Sequence, residues 1–324
     1  MSLAVLRMAL AAAAVALASG AQAQDVVRLG TLEWSHFGAL AYIKVIAPKC
    51  GIQVEEKTYP QGGDLMDAII GGELDVGASA STTAIAGRAG GAPIFVVAGF
   101  ATGGLRLLAR PGQKFRNWHG LKGKKVGVAR GGIEEVLLAA SLQDAGLSAG
   151  SMGGRDVLLV YMTPESLGKA LAARKIDAMM ASEPQASQAI VKGHAIEVLR
   201  PYETAVGEPV RTLFMTEAFY HRKRPLAEKF MHCFVEASKT FMDAPALAER
   251  YMRSVVFQGQ LGSAEFREAI GNSPTTCHVS TRQIQVITDT MVRTGLAPFG
   301  KLPLARQWVR TDLLDAAKKS VGVK

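Results

Sequence analysis

The sequence has 324 residues, of which 48% are hydrophobic and 20% charged, and its formal net charge is +9 at pH 7. A positive balance can attract anionic solutes or a membrane surface over long range, although a solvated basic surface explains it more simply. The basic runs at residues 122–125 and 221–224 are short and lack interleaved aromatic residues, which argues against a nucleic-acid-binding protein.

The N-terminus has the pattern of a secretory signal peptide. Arg7 precedes an uncharged apolar run at residues 8–19, and Ala21 and Ala23 stand in the small–x–small order of a cleavage site. The run is shorter than the roughly 20 apolar residues of a membrane-spanning helix, and no comparable run follows it. We therefore expect residues 1–23 to be removed, which leaves a protein located outside the cytoplasm, without a transmembrane segment.

From residue 26 onward, strand-like runs alternate with helical runs in two blocks. The first block has predicted strands at 26–29, 53–59, 75–78 and 94–98, and predicted helices at 37–49, 64–70 and 82–89. The second block has predicted strands at 125–128, 157–161, 178–181 and 196–199, and predicted helices at 133–145, 165–173 and 185–192. Because this alternation is typical of parallel strands with helical crossovers, the sequence predicts an α/β fold.

The last third of the chain is predominantly helical. Helices are predicted at 226–243, 246–255 and 281–295, and Ser280 with Gln283 matches a capping box. Since this segment has no sheet of its own, we expect a C-terminal helical extension that packs on the lobe formed by the first block.

The two blocks predict two lobes joined by two hinge crossings. The chain leaves the first lobe near residues 105–109 and returns to it near 211–215. We therefore expect lobe 1 at 24–104 and 213–324 and lobe 2 at 105–212, with a cleft between them.

The three cysteines, Cys50, Cys233 and Cys277, allow at most one internal disulfide in an oxidising compartment. Cys233 with Cys277 is the pair that we expect, and the alternative is three buried small apolar side chains. No C-x-x-C or H-E-x-x-H motif occurs, so no metal site and no cofactor is predicted.

Four stretches of the sequence are informative together, namely residues 71–79, 121–128, 142–147 and 172–184. In this order they resemble the periplasmic substrate-binding proteins of ABC importers, in the group that handles nitrate, sulfonates, taurine and thiamine pyrimidine precursors. The resemblance implies the two-lobed type II periplasmic-binding fold, with a ligand in the cleft and delivery to a membrane permease with its cytoplasmic ATPase. We expect a monomer. The recurring motifs belong to the scaffold and leave the ligand open.

Ligands of open α/β sheets bind beyond the carboxyl ends of the strands, and this rule selects the loops that carry the candidate residues. The candidate ligand-binding residues are Trp34, Ser35, His36, Ser79, Ser81, Thr82, Thr102, Arg130, Gly131, Gly132 and Glu183. The Arg130 loop is the favoured anion grip, because its glycines allow close approach to the free N–H groups of a helix N-terminus. The alternative is a plain turn with Arg130 in solvent.

Several of these residues are equally typical of structural positions that involve no ligand. The hydroxyl groups of Ser79, Ser81 and Thr82 suit helix N-caps as well as a ligand. Glu183 suits a ligand with an amine or a ring N–H donor, or else the first turn of a helix, where the dipole favours a carboxylate.

The stretch with Trp34, Ser35 and His36 offers a flat contact surface and directional polar groups, although tryptophan is also common in cores. No G-x-S-x-G motif and no nucleophile with a partnered base is evident, so no catalytic residue is predicted.

The sequence therefore predicts a binding protein for a small organic anion, such as a sulfonate, a carboxylate or a taurine-like solute. Trp34, His36 and Glu183 favour the alternative of a nitrogen heterocycle, such as a thiamine pyrimidine precursor. Two other hypotheses are an enzyme and a sensor built on the same fold, because a fold does not determine a function.

Overall fold

The computed structural model describes residues 25–32, 38–297 and 302–323, and their strands form two sheets. The predicted signal peptide and the predicted ligand residues Trp34, Ser35 and His36 lie outside the described residues. Within the described part of the chain, no helix is long and apolar enough to cross a membrane.

The first sheet has five strands in the order β2-β1-β3-β11-β4. These strands are β1 (Val26–Leu32), β2 (Gln53–Tyr59), β3 (Val76–Ala80), β4 (Ile94–Thr102) and β11 (Val210–Thr216). β1 pairs in parallel with β2 and β3, and β11 runs antiparallel between β3 and β4. The central strand β3 is buried along almost its whole length. The edge strand β4 is equally buried, because Thr275 and Val309 form bridges with its outer side.

The second sheet has six strands in the order β10-β5-β9-β6-β8-β7. These strands are β5 (Leu105–Ala109), β6 (Lys125–Val128), β7 (Ala149–Gly150), β8 (Val157–Tyr161), β9 (Ala178–Ser182) and β10 (Ile196–Leu199). β6 is parallel to β8 and β9, whereas β5 is antiparallel to β9 and β10. Leu107 and Leu108 of β5 belong to different hydrophobic clusters, because successive side chains point to opposite faces of a sheet.

Helices connect and cover the strands of both sheets. They are α1 (Gly38–Ile46), α2 (Gly62–Ile70), α3 (Ser81–Ala89), α4 (Ile133–Asp144), α5 (Pro164–Ala172), α6 (Gln185–Val191), α7 (Glu217–Arg222), α8 (Arg224–Asp243), α9 (Pro245–Tyr251), α10 (Ser263–Asn272), α11 (Thr281–Arg293) and α12 (Asp312–Val321). Several begin as the sequence predicts: Ser280 and Gln283 form the capping box of α11, with N···O distances of 3.2 and 2.9 Å.

The C-terminal helices pack on the first sheet and also reach the second lobe. Ile287 of α11 and Leu314 of α12 lie in the same hydrophobic cluster as Leu29 of β1. In addition, Arg293 of α11 pairs with Asp144 of α4 at 2.5 Å. The extension therefore contacts both lobes, which the sequence analysis did not foresee.

Two sequence expectations differ from the observed elements. β11 begins at Val210, so residues 210–212 lie in the first sheet, although the sequence analysis placed them in lobe 2. Helices α10 and α12 were not predicted. Only Phe266 and Ala269 of α10 are buried, which leaves little amphipathic signal in the sequence.

The predicted disulfide between Cys233 and Cys277 is wrong. The structure joins Cys50 to Cys233, with a Cα–Cα distance of 6.3 Å, and leaves Cys277 as a buried free thiol. The reason is helix packing: Cys50 ends the short turn after α1, and α1 packs against α8, which carries Cys233. Cys277 instead lies beside β4, where its carbonyl oxygen accepts from the Gly99 N–H at 3.3 Å.

Candidate functional site

The carboxyl ends of the parallel strands of both sheets lie at the chain crossings, where the antiparallel strands β5 and β11 begin. β4 ends at Thr102 and β5 begins at Leu105, so only Gly103 and Gly104 separate the sheets, and their φ angles are 63° and 76°. Leu105 in turn pairs with Ser182, the last residue of β9. This edge is where ligands of α/β sheets bind, and all the predicted ligand residues within the described ranges lie at strand ends along it.

Buried hydroxyl groups without partners mark the first-lobe side of this edge. Ser79, Ser81 and Thr82 are each 1% exposed, and their side-chain oxygens have no hydrogen-bond partner among the described residues. Thr212 of β11 lies opposite Ser79 in the ladder and has the same property, with 0% exposure. An unpaired buried hydroxyl costs about 1–3 kcal/mol, so four together indicate a place for a polar solute.

The hydroxyl groups of Ser81 and Thr82 lie at the start of α3. The N-cap of this helix is Ala80, whose methyl group cannot accept a hydrogen bond, so the capping role considered for the neighbouring hydroxyls is not observed. The first N–H groups of a helix have no partner within it, and the helix dipole favours negative charge there. This helix end can therefore receive an anionic or hydrogen-bond-accepting group.

The Arg130 loop forms the second-lobe side of this edge. Its contacts differ from those expected of an anion-binding loop. Gly131, with φ of 76°, donates its N–H to Glu135 Oε2 at 2.6 Å. Glu135 Oε1 accepts from the Tyr161 hydroxyl at 2.6 Å. The guanidinium carbon of Arg130 lies 3.9 Å from the Tyr161 ring centroid. Arg130 is thus stacked, and the Gly131 N–H is already used by the chain's own carboxylate.

Burial raises the pKa of Tyr161 to about 12, and the hydrogen bond to Glu135 adds to this effect. The two side chains therefore form a fixed unit that holds the start of α4.

Glu134 is the second carboxylate at the start of α4. It is 7% exposed, and its Oε2 lies so close to Gly132 that a Cβ on Gly132 would be 2.2 Å away. Its carboxylate has no hydrogen bond or ion pair within the described ranges, although its charge acts on Arg211. The sequence analysis assigned this residue no role.

Arg211, which the sequence analysis also left without a role, joins the two lobes. It is 3% exposed and donates to the Gly103 carbonyl oxygen and to Ser182 Oγ, both at 2.7 Å. Burial lowers the pKa of Arg211, while the charge of Glu134 opposes this shift. A cation inside the otherwise uncharged strand β11 was the available signal in the sequence.

Glu183 lies in a buried ion-pair network at the crossing. Its carboxylate lies 2.5 Å from Arg106 Nη2 and accepts from the N–H and the hydroxyl of Ser187, at 3.1 and 2.6 Å. Arg106 also contacts Glu268 of α10 at 2.7 Å. Burial raises the pKa of Glu183, and the Arg106 charge opposes this. Glu183 is 0% exposed, and its two carboxylate oxygens contact Arg106 and Ser187. Its interactions are therefore made with residues at the hinge.

Thr102 is half-buried at the end of β4, where its carbonyl oxygen accepts from Ser273 Oγ at 3.2 Å. The structure thus brings Ser79, Ser81 and Thr82 together on one side of the crossings. It places Arg130 and its two glycines at the start of α4 in the second lobe.

Comparisons with known proteins identify relatives of this chain. The profile of the family described as NMT1/THI5 like matches residues 49–248. A protein of Escherichia coli (strain K12) that is named as an aliphatic sulfonates-binding protein is 27% identical over 197 residues, which cover 58% of this chain and 56% of that protein. A protein of Brachyspira hyodysenteriae named as an ABC transporter periplasmic binding protein is 22% identical over 83% of this chain and 82% of its own length. The chain thus spans little more than half the length of the first relatives that it matches.

Solved structures share the fold. The alkanesulfonate-binding protein SsuA of Xanthomonas axonopodis pv. citri, bound to MOPS, superposes with a TM-score of 0.72 over 88% of this chain and 98% of that one, at 18% identity. The periplasmic nitrate-binding protein NrtA of Synechocystis PCC 6803 superposes with a TM-score of 0.74 over 93% and 90%, at 14% identity. These matches confirm the predicted periplasmic-binding fold. Because the family profile covers more than half of the sequence, the chain belongs to the NMT1/THI5-like family.

Proposed function

We propose that the protein is the periplasmic solute-binding component of an ABC importer. It captures a small polar organic solute between its two lobes and delivers it, without catalysis, to a membrane permease that works with a cytoplasmic ATPase. The family, the fold and the names of the relatives support the class of protein. The buried unpaired hydroxyls at the crossings are the observation that carries the binding role.

The solute that we propose carries an anionic head, such as a sulfonate or a carboxylate, as in taurine-like compounds. We assign the binding of this anionic head to the start of α3, and not to the Arg130 loop that the sequence analysis favoured. There Ser81 and Thr82 offer hydroxyl groups beside the free N–H groups of the helix. At the start of α4, by contrast, Glu134 and Glu135 would repel an anion.

The alternative is a nitrogen heterocycle, as in a thiamine pyrimidine precursor. The relatives' family and the carboxylates of α4 are compatible with this ligand, which would present ring N–H or amine donors.

The binding energy in the proposed mechanism comes from hydrogen bonds in a cleft that excludes water when the lobes close. The lobes rotate about Gly103 and Gly104 and about the return segment before β11, which is the hinge type of motion known from periplasmic binding proteins. Closure removes water from the hydroxyl cluster, and hydrogen bonds to the solute are stronger in the resulting low dielectric.

A ligand screen tests the proposal. The mature protein is unfolded thermally with sulfonates, carboxylates, amino sulfonates, nitrate and pyrimidines, and a solute at 100 times its Kd should add about 2.7 kcal/mol to the free energy of unfolding. For the best anionic solute, Ser81→Ala combined with Thr82→Val removes two hydrogen bonds to a charged group, which should weaken binding by about 100-fold or more.

Ser238→Ala is the matched control, because Ser238 is also a buried serine without a hydrogen-bond partner in the described structure, but it lies within helix α8 and not at the end of a strand. It should leave the affinity unchanged. Equal binding by wild type and the Ser81→Ala, Thr82→Val variant would refute the site, and retention of the protein in the cytoplasm after spheroplast formation would refute the periplasmic role.

A further inference from the structure

We infer that Glu134 accepts a hydrogen bond from an N–H group of the bound solute, so the solute carries a protonated amine or a ring N–H at its second-lobe end. This inference rests on the proposed binding of a solute in the cleft. It assigns the chemical class of ligand to one residue of this chain, at the position where the sequence predicted an anion grip.

The contrast between the two neighbouring glutamates carries the argument. Glu135 has donors for both oxygens, namely the Gly131 N–H and the Tyr161 hydroxyl. Glu134 is also buried, at 7% exposure, but no donor reaches its carboxylate among the residues that the structure describes. Its oxygens are not fully enclosed, so a donor from outside the chain can reach them. Glu134 therefore lacks a partner that a solute can supply.

The buried guanidinium of Arg211 does not replace that partner. Arg211 feels the charge of Glu134, but its two terminal nitrogens donate to Gly103 and Ser182. The arginine thus stabilises the negative charge at long range without forming an ion pair with it. A donor placed between Glu134 and the first lobe would complete the set of contacts.

The start of α4 is also closed to anions in its observed state. The carboxylate of Glu135 already accepts from the Gly131 N–H, and Glu134 Oε2 covers Gly132. The two side chains therefore occupy the positions that a sulfonate or carboxylate would take at a helix N-terminus.

The two sides of the cleft consequently differ in polarity. Ser81 and Thr82 at the start of α3 suit an acceptor, and Glu134 at the start of α4 suits a donor. A solute with both ends, such as an amino sulfonate, an amino carboxylate or an aminopyrimidine, matches both sides at once.

Matched pairs of probes test this inference on the unmodified protein. The pairs are taurine with ethanesulfonate, β-alanine with propionate, and 4-amino-2-methylpyrimidine with 2-methylpyrimidine, each differing by one amine. We expect the amine-bearing member of at least one pair to bind at least about 10-fold more tightly, as a hydrogen bond to a charged group allows. Titration calorimetry and thermal unfolding give both affinities.

Glu134→Gln then removes the charge at nearly constant volume. It should reduce the preference within the bound pair by about 10-fold or more and strengthen binding of the amine-free member. Glu165→Gln is the matched control, because Glu165 is an exposed first-turn glutamate of α5 in the same lobe. It should leave both affinities unchanged.

The outcomes separate the inference from the proposed function. Binding of amine-free members as tightly as their partners, or an unchanged preference in Glu134→Gln, would overturn the role of Glu134 and leave cleft binding in place. If no member of any pair stabilises the protein, the proposed binding of such solutes is itself contradicted. The comparison of pairs on wild-type protein holds even if Glu134→Gln fails to fold.

Discussion

Replacement of Arg106 by methionine tests the buried network at the hinge. Arg106 is 2% exposed, Glu183 is 0% exposed, and 2.5 Å separate their charged groups. Removing one partner of a buried ion pair typically costs about 3–5 kcal/mol, because the other charge stays buried without compensation. Since both Ser187 donors remain on Glu183, we expect about 3 kcal/mol.

The lost free energy of unfolding should come almost entirely from the Glu183 carboxylate, which stays buried without its cation. The other acidic partners of Arg106, Glu197 and Glu268, are 27% and 41% exposed at their side chains, so water can replace the arginine there. Arg106→Met combined with Glu183→Gln should therefore recover most of the lost stability. A coupling free energy below about 0.5 kcal/mol would show that the two groups act independently.

The destabilisation should also depend on pH in a defined direction. Burial raises the pKa of Glu183, and Arg106→Met removes the charge that opposes this shift. The folded-state pKa then lies above the unfolded value of 4.5, so the penalty is largest above the folded pKa and disappears as pH falls through 4.5. Chemical denaturation between pH 4 and pH 8 measures this trend.

Arg267→Met is the control for the size of the arginine effect. Arg267 lies on α10 beside Glu268, is 65% exposed at its side chain and pairs with Glu249 at 3.8 Å. Its replacement should cost less than about 1 kcal/mol. If Arg106→Met were equally mild, or if its effect grew at low pH, the reasoning about the buried network would be refuted.

Two further predictions concern covalent and titratable features of the protein. Mass spectrometry of digested, unreduced protein should find a peptide joined through Cys50 and Cys233, and reduction should lower the free energy of unfolding by about 2–5 kcal/mol; a peptide joined through Cys277 would contradict the structure. Tyr161 should titrate at about 12 in an absorbance measurement referenced to Tyr161→Phe, and Glu135→Gln should lower this pKa. Because the folded pKa is raised above the usual 10.0, the stability gained from the group is present below pH 10 and lost as pH rises through about 12; a value near 10 in both proteins would exclude the Glu135 contact.

Much of the fold follows from local patterns in the sequence. Strands with strongly β-forming residues between turn signals, such as Gln53–Tyr59 and Val157–Tyr161, have the predicted bounds. Their parallel arrangement then places the ligand loops at one edge of each sheet, which is why the hydroxyls of Ser79, Ser81 and Thr82 could be selected.

The remaining site residues depend on contacts between distant parts of the chain. Arg106 and Glu268 are 162 residues apart, and no local pattern indicates that they meet. Glu134 differs from Glu135 only in which donors the folded chain brings to it. The choice of disulfide likewise depended on the packing of α1 against α8, which the spacing of cysteines does not encode.

A crystal structure of the protein with the tightest-binding solute of the panel tests the central proposal most directly. We expect the solute between the lobes, with its acceptor group at Ser81 and Thr82 and an N–H group within hydrogen-bond distance of Glu134. Another groove exists on the first lobe between α1, α8 and α12, lined by Tyr42, Lys49 and other residues. A solute bound in that groove, or anywhere outside the meeting edges of the two sheets, would contradict the proposed site.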